Sequence, residues 1–507
     1  MISKIIKNNK WFLISLFIFS FLLRATVFYY YLGKDNNYWQ VDSGAYHKIA
    51  ISLSQDKGVS IDGNPNFYRL PGYSYFLSFY YKYFEQNRKN ALWLQIFLAS
   101  FIPLLIFLLS FVLVFGNLWA ARLASLYSSF HLGFVLYSGF FMTESLFVFL
   151  FLIFSILFFE NLHLFFCRRN LLNGNNVSPF IYCFDEICSG AGFIALEEKL
   201  EEEKIRRNFI KLFFAGLFLG VSGLVRPVGH YFLIFSILIL FFSRNSFKNK
   251  FKKSLVLFIG WLTAVLPWLL RNYLLLGQIF FHTLPGGHFL HFSAARNVMY
   301  EINCNFDQAK DYLRGEVIDL SAQEAQKIGR NLNEIELCNL RQDLAIKYFE
   351  KYPLLTLKHW LTDILRTSLS LYSAEVLYLE SGRKQVDYFS EKRTIWSLFK
   401  RYLIPQTDNI YLKLLVYLEI LFFLFILFGV LAGFILSMIL LFRYGLRSPT
   451  CLFCKTLPFV FIFLVIGLAG GYSRMRLPAE PFLIILSFSF YVWIFKLKEL
   501  KKENGLI

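Results

Sequence analysis

Charge is scarce in this sequence. Asp, Glu, Lys and Arg make up 17% of its 507 residues, against 56% hydrophobic and 20% aromatic. An ordinary soluble domain carries about 25% charged residues, so a surface covered by water is excluded for most of the chain; a mean hydropathy of +0.49 agrees. Cysteine is sparse as well. Its seven copies, Cys167, Cys183, Cys188, Cys304, Cys338, Cys451 and Cys454, are scattered. The Cys451-x-x-Cys454 pair lacks the second pair or histidine cluster that would complete a zinc site, while Cys304 and Cys338 share one long polar segment and could pair. Also missing are a nucleotide-binding loop, zinc-finger spacing and an RNA-binding motif. The formal net charge of +18 therefore does not point to nucleic acid. No small-x-small cleavage site follows the apolar run Trp11–Tyr31, so that run is expected to stay as a first helix rather than leave as a signal peptide.

What the sequence does have is long apolar runs. Leu94–Phe115 and Tyr411–Phe442 continue for about 20 residues or more with hardly a charge, enough to cross roughly 30 Å of hydrocarbon. Read along the chain, the spans are Trp11–Tyr31, Ala91–Phe115, Leu123–Gly139, Met142–Phe166, Asn208–Leu224, Val228–Phe242, Ser254–Leu270, Tyr411–Phe442, Thr456–Ala469 and Phe482–Phe495. Their alternation puts the basic stretches Arg244–Lys253 and Arg443–Lys455 on one side, together with the tail carrying Lys496, Lys498, Lys501 and Lys502. By the positive-inside tendency that side is the cytoplasm, and both termini lie there. The expected fold class is an all-α polytopic membrane protein of about ten spans. A helix pair hidden in 271–410 would raise that to about twelve. Expected domains are an N-terminal membrane module at 1–270, with a first outer loop at 32–90, an extracytoplasmic segment at 271–410, and a C-terminal membrane module at 411–507. Leu354–Leu379 reads as amphipathic helix on the membrane or in a small outer domain. The Glu-rich stretch within Cys167–Arg207 reads as solvated connection.

Chemistry-capable residues fall on the other, outer face. Asp42 just precedes a helical pattern; it suits an N-cap, a general base, or a ligand for a divalent cation such as Mg²⁺ or Mn²⁺, with Glu144 as its partner. Arg69 lies before the Pro71-Gly72 turn and offers the fixed fork of donors that suits phosphate or carboxylate. Glu144 begins the fourth span, where the helix dipole favours a carboxylate and where a lone acid at membrane depth raises a functional hypothesis. Arg226-Pro227 interrupts an apolar stretch, as a turn or as an arginine needed inside the bundle. Arg474 and Arg476 sit in a tight outer loop, against the positive-inside tendency, and an anionic ligand at headgroup level would account for them. In the same stretches Tyr46, His47, Tyr68 and Tyr73 are candidate substrate contacts. Two carboxylates with several arginines could bind a phosphate-linked lipid and activate an acceptor.

The motifs carrying these residues are similar to those of a known family. Asp42-Ser43-Gly44-Ala45-Tyr46-His47-Lys48-Ile49-Ala50, Arg69-Leu70-Pro71-Gly72-Tyr73, Thr143-Glu144-Ser145, Leu224-Val225-Arg226-Pro227 and Arg474-Met475-Arg476-Leu477-Pro478-Ala479-Glu480-Pro481 together resemble the GT-C class of membrane glycosyltransferases. The likeness is to the branch holding bacterial protein mannosyltransferases and lipid A aminoarabinose transferases. It implies a polyprenyl-phosphate-linked sugar as donor and an envelope lipid, glycan or protein as acceptor, with transfer at the outer face of the bacterial inner membrane. It implies Asp42 as the acceptor-activating carboxylate, Glu144 as a second site carboxylate, and Arg69, Arg226, Arg474 and Arg476 around the donor phosphate. Inversion at the sugar carbon and an acceptor groove shaped by 271–410 follow from the same likeness. Protein mannosyltransferases typically carry Asp-Glu where this chain has Asp42-Ser43, which leaves acceptor and metal open. The competing classes are a transporter or flippase, expected to carry charge along the middle of the bundle, and a glycan ligase or polymerase, expected to take a donor with more than one sugar.

Overall fold

The computed structural model describes residues 2–114, 117–167, 197–242, 246–380, 404–405, 407–444, 456, 460 and 472–503. Among them the chain is almost wholly helical; its two-stranded ribbon pairs Ser60 with Pro65 and Ile61 with Asn64. Among the described residues, seven helices are long and apolar enough to cross a membrane: Lys10–Leu32, Arg88–Leu113, Glu144–Asn161, Asn208–Val225, Phe247–Leu276, Ile410–Ile439 and Ser473–Phe495. Val228–Phe241 is a shorter apolar helix. The expected third span is broken into Leu118–Phe130 and Leu132–Gly139 at His131, whose backbone leaves the helical region at φ −57°, ψ 119°. Most of the expected span at 456–469, and the Cys451-x-x-Cys454 pair, lie outside the described residues.

Helix boundaries follow ordinary capping chemistry. The Asn87 side chain accepts hydrogen bonds from the Lys89 and Asn90 amides to start Arg88–Ala99, and Asn117 does the same for the Trp119 and Ala120 amides. Asn305 and Asn333 form capping boxes with Gln308 and Glu336 at the starts of Phe306–Ile328 and Glu334–Lys351. Between the spans, glycine sets the closest approach. A Cβ on Gly216 would lie 2.1 Å from the Leu257 carbonyl oxygen, and one on Gly260 equally near that of Phe213. The helices Glu197–Val225 and Phe247–Leu276 therefore meet backbone to backbone, as small residues permit where apolar lipid supplies no drive for association. Phenylalanine fills much of the remaining interior, including Phe134, Phe141, Phe147, Phe151, Phe154 and Phe482, which are fully or almost fully buried.

The 271–410 segment holds no further spanning helix among its described residues. It is a stack of polar and amphipathic helices, Phe306–Ile328, Glu334–Lys351, Pro353–Leu369 and Ser373–Glu380, with its own apolar cluster around Leu290, Val298, Phe306, Leu313 and Leu344. Leu354, Leu357, Leu361 and Leu365 stay exposed along one stripe of Pro353–Leu369, while Asp363 on the opposite face takes both Arg296 guanidinium arms at 2.9 and 2.6 Å. Amphipathic helix was expected here; the break at 370–372 was not. Cys304 and Cys338 are free thiols. The Cys338 sulfur accepts a hydrogen bond from the Gln342 amide at 3.2 Å, so the pairing open to them on sequence is not formed.

Candidate active site

Local packing brings the first loop to the start of the fourth span. The Ser43 hydroxyl donates to the Phe141 carbonyl at 2.8 Å and accepts from the Gln40 amide at 2.9 Å, while the Phe141 amide donates to the Tyr38 carbonyl at 2.9 Å. Ser43 is thus a latch that sets Asp42 beside Thr143-Glu144. The helix Gly72–Tyr83 is tied to Ser43–Ser54 through the Ser74 hydroxyl and the Tyr46 carbonyl, at 3.1 Å. Gly72 has its own reason to be glycine: a Cβ there would come within 2.8 Å of the Leu224 carbonyl and the Val225 amide. The Arg69-to-Gly72 turn and the Val225-Arg226-Pro227 turn therefore lie against each other.

The result is a chain of alternating charge. Arg69 Nη2 lies 2.6 Å from one Asp42 oxygen, and Arg474 Nη2 lies 3.2 Å from the other. Arg474 Nε also donates to Glu144, whose same oxygen receives Arg226 Nη1 at 2.7 Å. The order Arg69–Asp42–Arg474–Glu144–Arg226 joins five separate stretches of sequence. Three guanidiniums against two carboxylates leave one positive charge.

Asp42 occupies the position before Ser43–Ser54, yet its side chain makes no capping hydrogen bond; the arginines hold it instead. Burial pushes its carboxyl up, but Arg474 and then Arg69 outweigh that and hold it below the usual carboxylate range. The Asp42 side chain is 22% exposed and that of Glu144 0%. Asp42 can meet an incoming group; Glu144 is enclosed between Arg226 and Arg474.

The other candidates separate. Tyr46 and Tyr68 flank Arg69, whose guanidinium carbon lies 5.4 and 5.0 Å from their ring centres. Tyr68 is partly exposed and Tyr46 buried. Tyr73 is fully buried and donates to Gln95 at 2.8 Å, while Gln95 in turn donates to the carbonyls of Ser138 and Phe140. It braces the bundle and does not line the site. His47 Nδ1 sits 2.9 Å from the Tyr81 hydroxyl, and burial, aided by Arg88, pushes its pKa down to about 4. Arg476 is not brought to the cluster. Buried, it donates to Glu480 at 2.6 Å and to the Thr367 and Ser368 carbonyls at 3.1 and 2.7 Å. These contacts hold it at the C-terminal end of Pro353–Leu369, on partners other than Asp42 and Glu144.

Two residues of the 271–410 segment approach the site without any sequence signal that marked them. Glu375 shares a recess with Gln40, Tyr137, Phe140, Met142 and Arg474. His288 is driven to a pKa of about 4 by burial, with the Asp42 charge pulling the other way. A divalent cation does not fit the Asp42–Glu144 pair as built. Both carboxylates are engaged by guanidiniums, and no group of three His, Cys, Asp or Glu side chains that could hold a metal is present among the described residues.

No family model matches the sequence, and no curated protein matches it. Solved structures do. The fold is similar to the Archaeoglobus fulgidus oligosaccharyltransferase tethered to an acceptor peptide, with a TM-score of 0.47 and 12% identity over 98% of this chain and 51% of that one. It is also similar to ArnT from Cupriavidus metallidurans bound to undecaprenyl phosphate, with a TM-score of 0.36 and 11% identity over 95% of this chain and 78% of that one. The chain spans about half the length of the oligosaccharyltransferase.

Proposed function

We propose that this protein transfers a sugar from a polyprenyl-phosphate carrier to an envelope lipid, glycan or protein, at the extracytoplasmic face of a bacterial inner membrane. The observation that carries the reading is the Arg69–Asp42–Arg474–Glu144–Arg226 chain, a cationic site with one accessible carboxylate. The motif resemblance points the same way. Arg69 also keeps a buried Nε–H with no hydrogen-bond partner, a donor available to an anion.

In this reading the carrier phosphate takes hydrogen bonds from Arg69 and Arg474. Asp42 then loses part of the charge that depresses its pKa and becomes a stronger base when the donor is bound. It accepts the proton from an acceptor hydroxyl or amine. The freed electron pair attacks the anomeric carbon as the bond from that carbon to the phosphate oxygen breaks. The carrier leaves as a phosphate whose developing charge falls on fixed guanidiniums. A single displacement inverts the anomeric carbon. Glu144 holds Arg226 and Arg474 in place and does not itself meet the acceptor. No step is routed through a metal.

Asp42→Asn is the direct test. It keeps the shape and removes the base, so transfer from a purified polyprenyl-phosphate sugar should be abolished in protein that still resides in the membrane. Turnover at the unsubstituted rate would remove Asp42 from the assigned role. Cells with and without the gene, compared by mass analysis of envelope lipids and glycoproteins, should differ by one sugar on the acceptor.

A further inference from the structure

The turn that carries Arg69 is held by a second arginine, about two hundred positions further along the chain. Arg271 lies near the C-terminal end of the Phe247–Leu276 helix. Its Nη1 donates to the Asn66 carbonyl at 3.0 Å and to the Asn272 side-chain oxygen at 2.8 Å, and its Nη2 donates to the Val59 carbonyl at 2.9 Å. Val59 and Asn66 flank the ribbon in which Ser60 pairs with Pro65, so one guanidinium closes the ribbon at its base. The same group is sandwiched between aromatic rings: its carbon lies 4.7 Å from the ring centres of both Phe67 and Trp268. Neighbouring bonds fasten the return of the chain to the same place. The Trp268 indole donates to the Phe281 carbonyl at 2.7 Å, the Asn272 side-chain amide to the Phe280 carbonyl at 2.9 Å, and the Thr283 amide to the Phe67 carbonyl at 2.9 Å.

Asn66 passes this restraint on to the site. It is buried; its side-chain amide donates to the Arg69 carbonyl at 2.9 Å, and its Oδ1 accepts from the Arg69 amide at 3.5 Å. Arg69 then reaches Asp42 at 2.6 Å, so hydrogen bonds run without a gap from Arg271 through Asn66 and Arg69 to Asp42. Among the described residues Arg271 is paired with no carboxylate; its fork is committed to neutral acceptors. A rigid fork can span two carbonyls where a single ammonium nitrogen cannot match the geometry, and a site group works only when the shell behind it fixes its place. We infer that Arg271 is a positioning residue for Arg69: its hold on the Val59 and Asn66 carbonyls, relayed by the Asn66 side chain, sets the guanidinium that meets the carrier phosphate. The inference rests on the transfer reading above. Arg271 does not itself take the phosphate, since both of its Nη atoms are engaged within the protein.

The test is a double-mutant cycle in the full-length protein in lipid nanodiscs, with a purified polyprenyl-phosphate sugar as donor: Arg271→Gln, Arg69→Gln and the two together. Arg271→Gln should lower kcat/KM by on the order of 10–100-fold, the scale of a small misplacement of a site group. Asp42 faces Arg69 and Arg474. Drawing Arg69 off it should therefore also move the acid limb of the kcat/KM profile to higher pH, which a loss of packing elsewhere does not do. The paired variant should lie within about threefold of Arg69→Gln alone, because a residue that acts through another adds nothing once the other is gone. Losses that multiply in the paired variant would overturn the inference in favour of a structural role. So would an acid limb that moves in Arg69→Gln and stays in place in Arg271→Gln. Should Arg271→Gln fail to fold, Asn66→Ala removes only the relay and must show the same shift and the same non-additivity with Arg69→Gln. An acid limb unmoved by Arg69→Gln itself would instead strike the proposed function, and the inference with it, so the two failures are distinguishable.

Discussion

Arg474 is the guanidinium that both site carboxylates share, which makes Arg474→Gln an informative single change. It removes the bond to Glu144 and the 3.2 Å contact to Asp42 together. Breaking a buried ion pair typically costs about 3–5 kcal/mol because a charge is left alone. Glu144 is not left alone here, since Arg226 remains 2.7 Å away. The stability loss should then resemble that of a charged hydrogen bond, about 1.5–3 kcal/mol. The effect on chemistry should be larger. A fixed donor facing a developing oxyanion is worth about 2.7–4 kcal/mol, on the order of 10²–10³-fold in kcat. Arg474→Lys keeps the charge but offers a point instead of the fork whose separate Nη2 and Nε atoms reach Asp42 and Glu144, and should fall between Arg474→Gln and the unsubstituted protein. The assay is donor turnover in nanodiscs, paired with a thermal unfolding midpoint in the same lipid. If Arg474→Gln stays folded and keeps kcat within about threefold, well short of the loss of an oxyanion donor, the arginine does not stabilise the leaving phosphate and the mechanism fails.

Other contacts set the remaining outcomes. Asp42 has a folded-state pKa below its unfolded value of about 3.9, so its ion pairs contribute stability in full above that value, a contribution lost as pH falls through the lower folded value. Arg69→Gln removes one depressing charge while burial still pushes upward, so the acid limb of the kcat/KM profile should move to higher pH; a limb that stays put would refute the assignment. Gly260→Val should force apart the helices that meet at Phe213, lowering the thermal midpoint by the equivalent of about 1–3 kcal/mol; an unaltered midpoint would show that the interface yields. Arg296→Met leaves the buried Asp363 carboxylate without its bidentate partner and should cost about 3–5 kcal/mol, whereas Lys48→Ala, at an exposed pair with Asp62, should cost less than about 1 kcal/mol.

The spans were legible because hydrocarbon thickness imposes a length and charge exclusion that a single sequence displays. The first, second and fourth helices begin and end within a few residues of where the apolar runs do. The break at His131 was not legible, since a polar ring inside an apolar run reads the same whether the helix turns there or continues. Asp42, Arg69, Glu144, Arg226 and Arg474 stood out because each reads in the sequence as a charge flanking an apolar run, and the fold brings these five together. Arg476 stood out for the same reason and is used differently: its partner Glu480 is one helical turn away, and the two carbonyls it caps lie in a segment with no readable contact to it. Glu375 and His288 were silent because an acid or imidazole in a polar helix is unremarkable until the helix is folded over a site. Asp42 suited a cap by its local pattern, but local pattern holds no information about arginines 27 and 432 positions away.

The separation of Asp42 from Arg474 by 432 positions has a consequence for biogenesis. At synthesis rates of about 5–20 residues per second, Asp42 precedes Arg474 by roughly 20–90 s, whereas Arg69 follows it within a few seconds. Chains that stop just short of Arg474 already hold the partners of two separate ion pairs, Arg69–Asp42 and Arg226–Glu144, and lack the guanidinium that joins them. The same arginine that would hold the leaving group is thus the last of the five to arrive, and it adds the unbalanced positive charge to a set that is neutral without it.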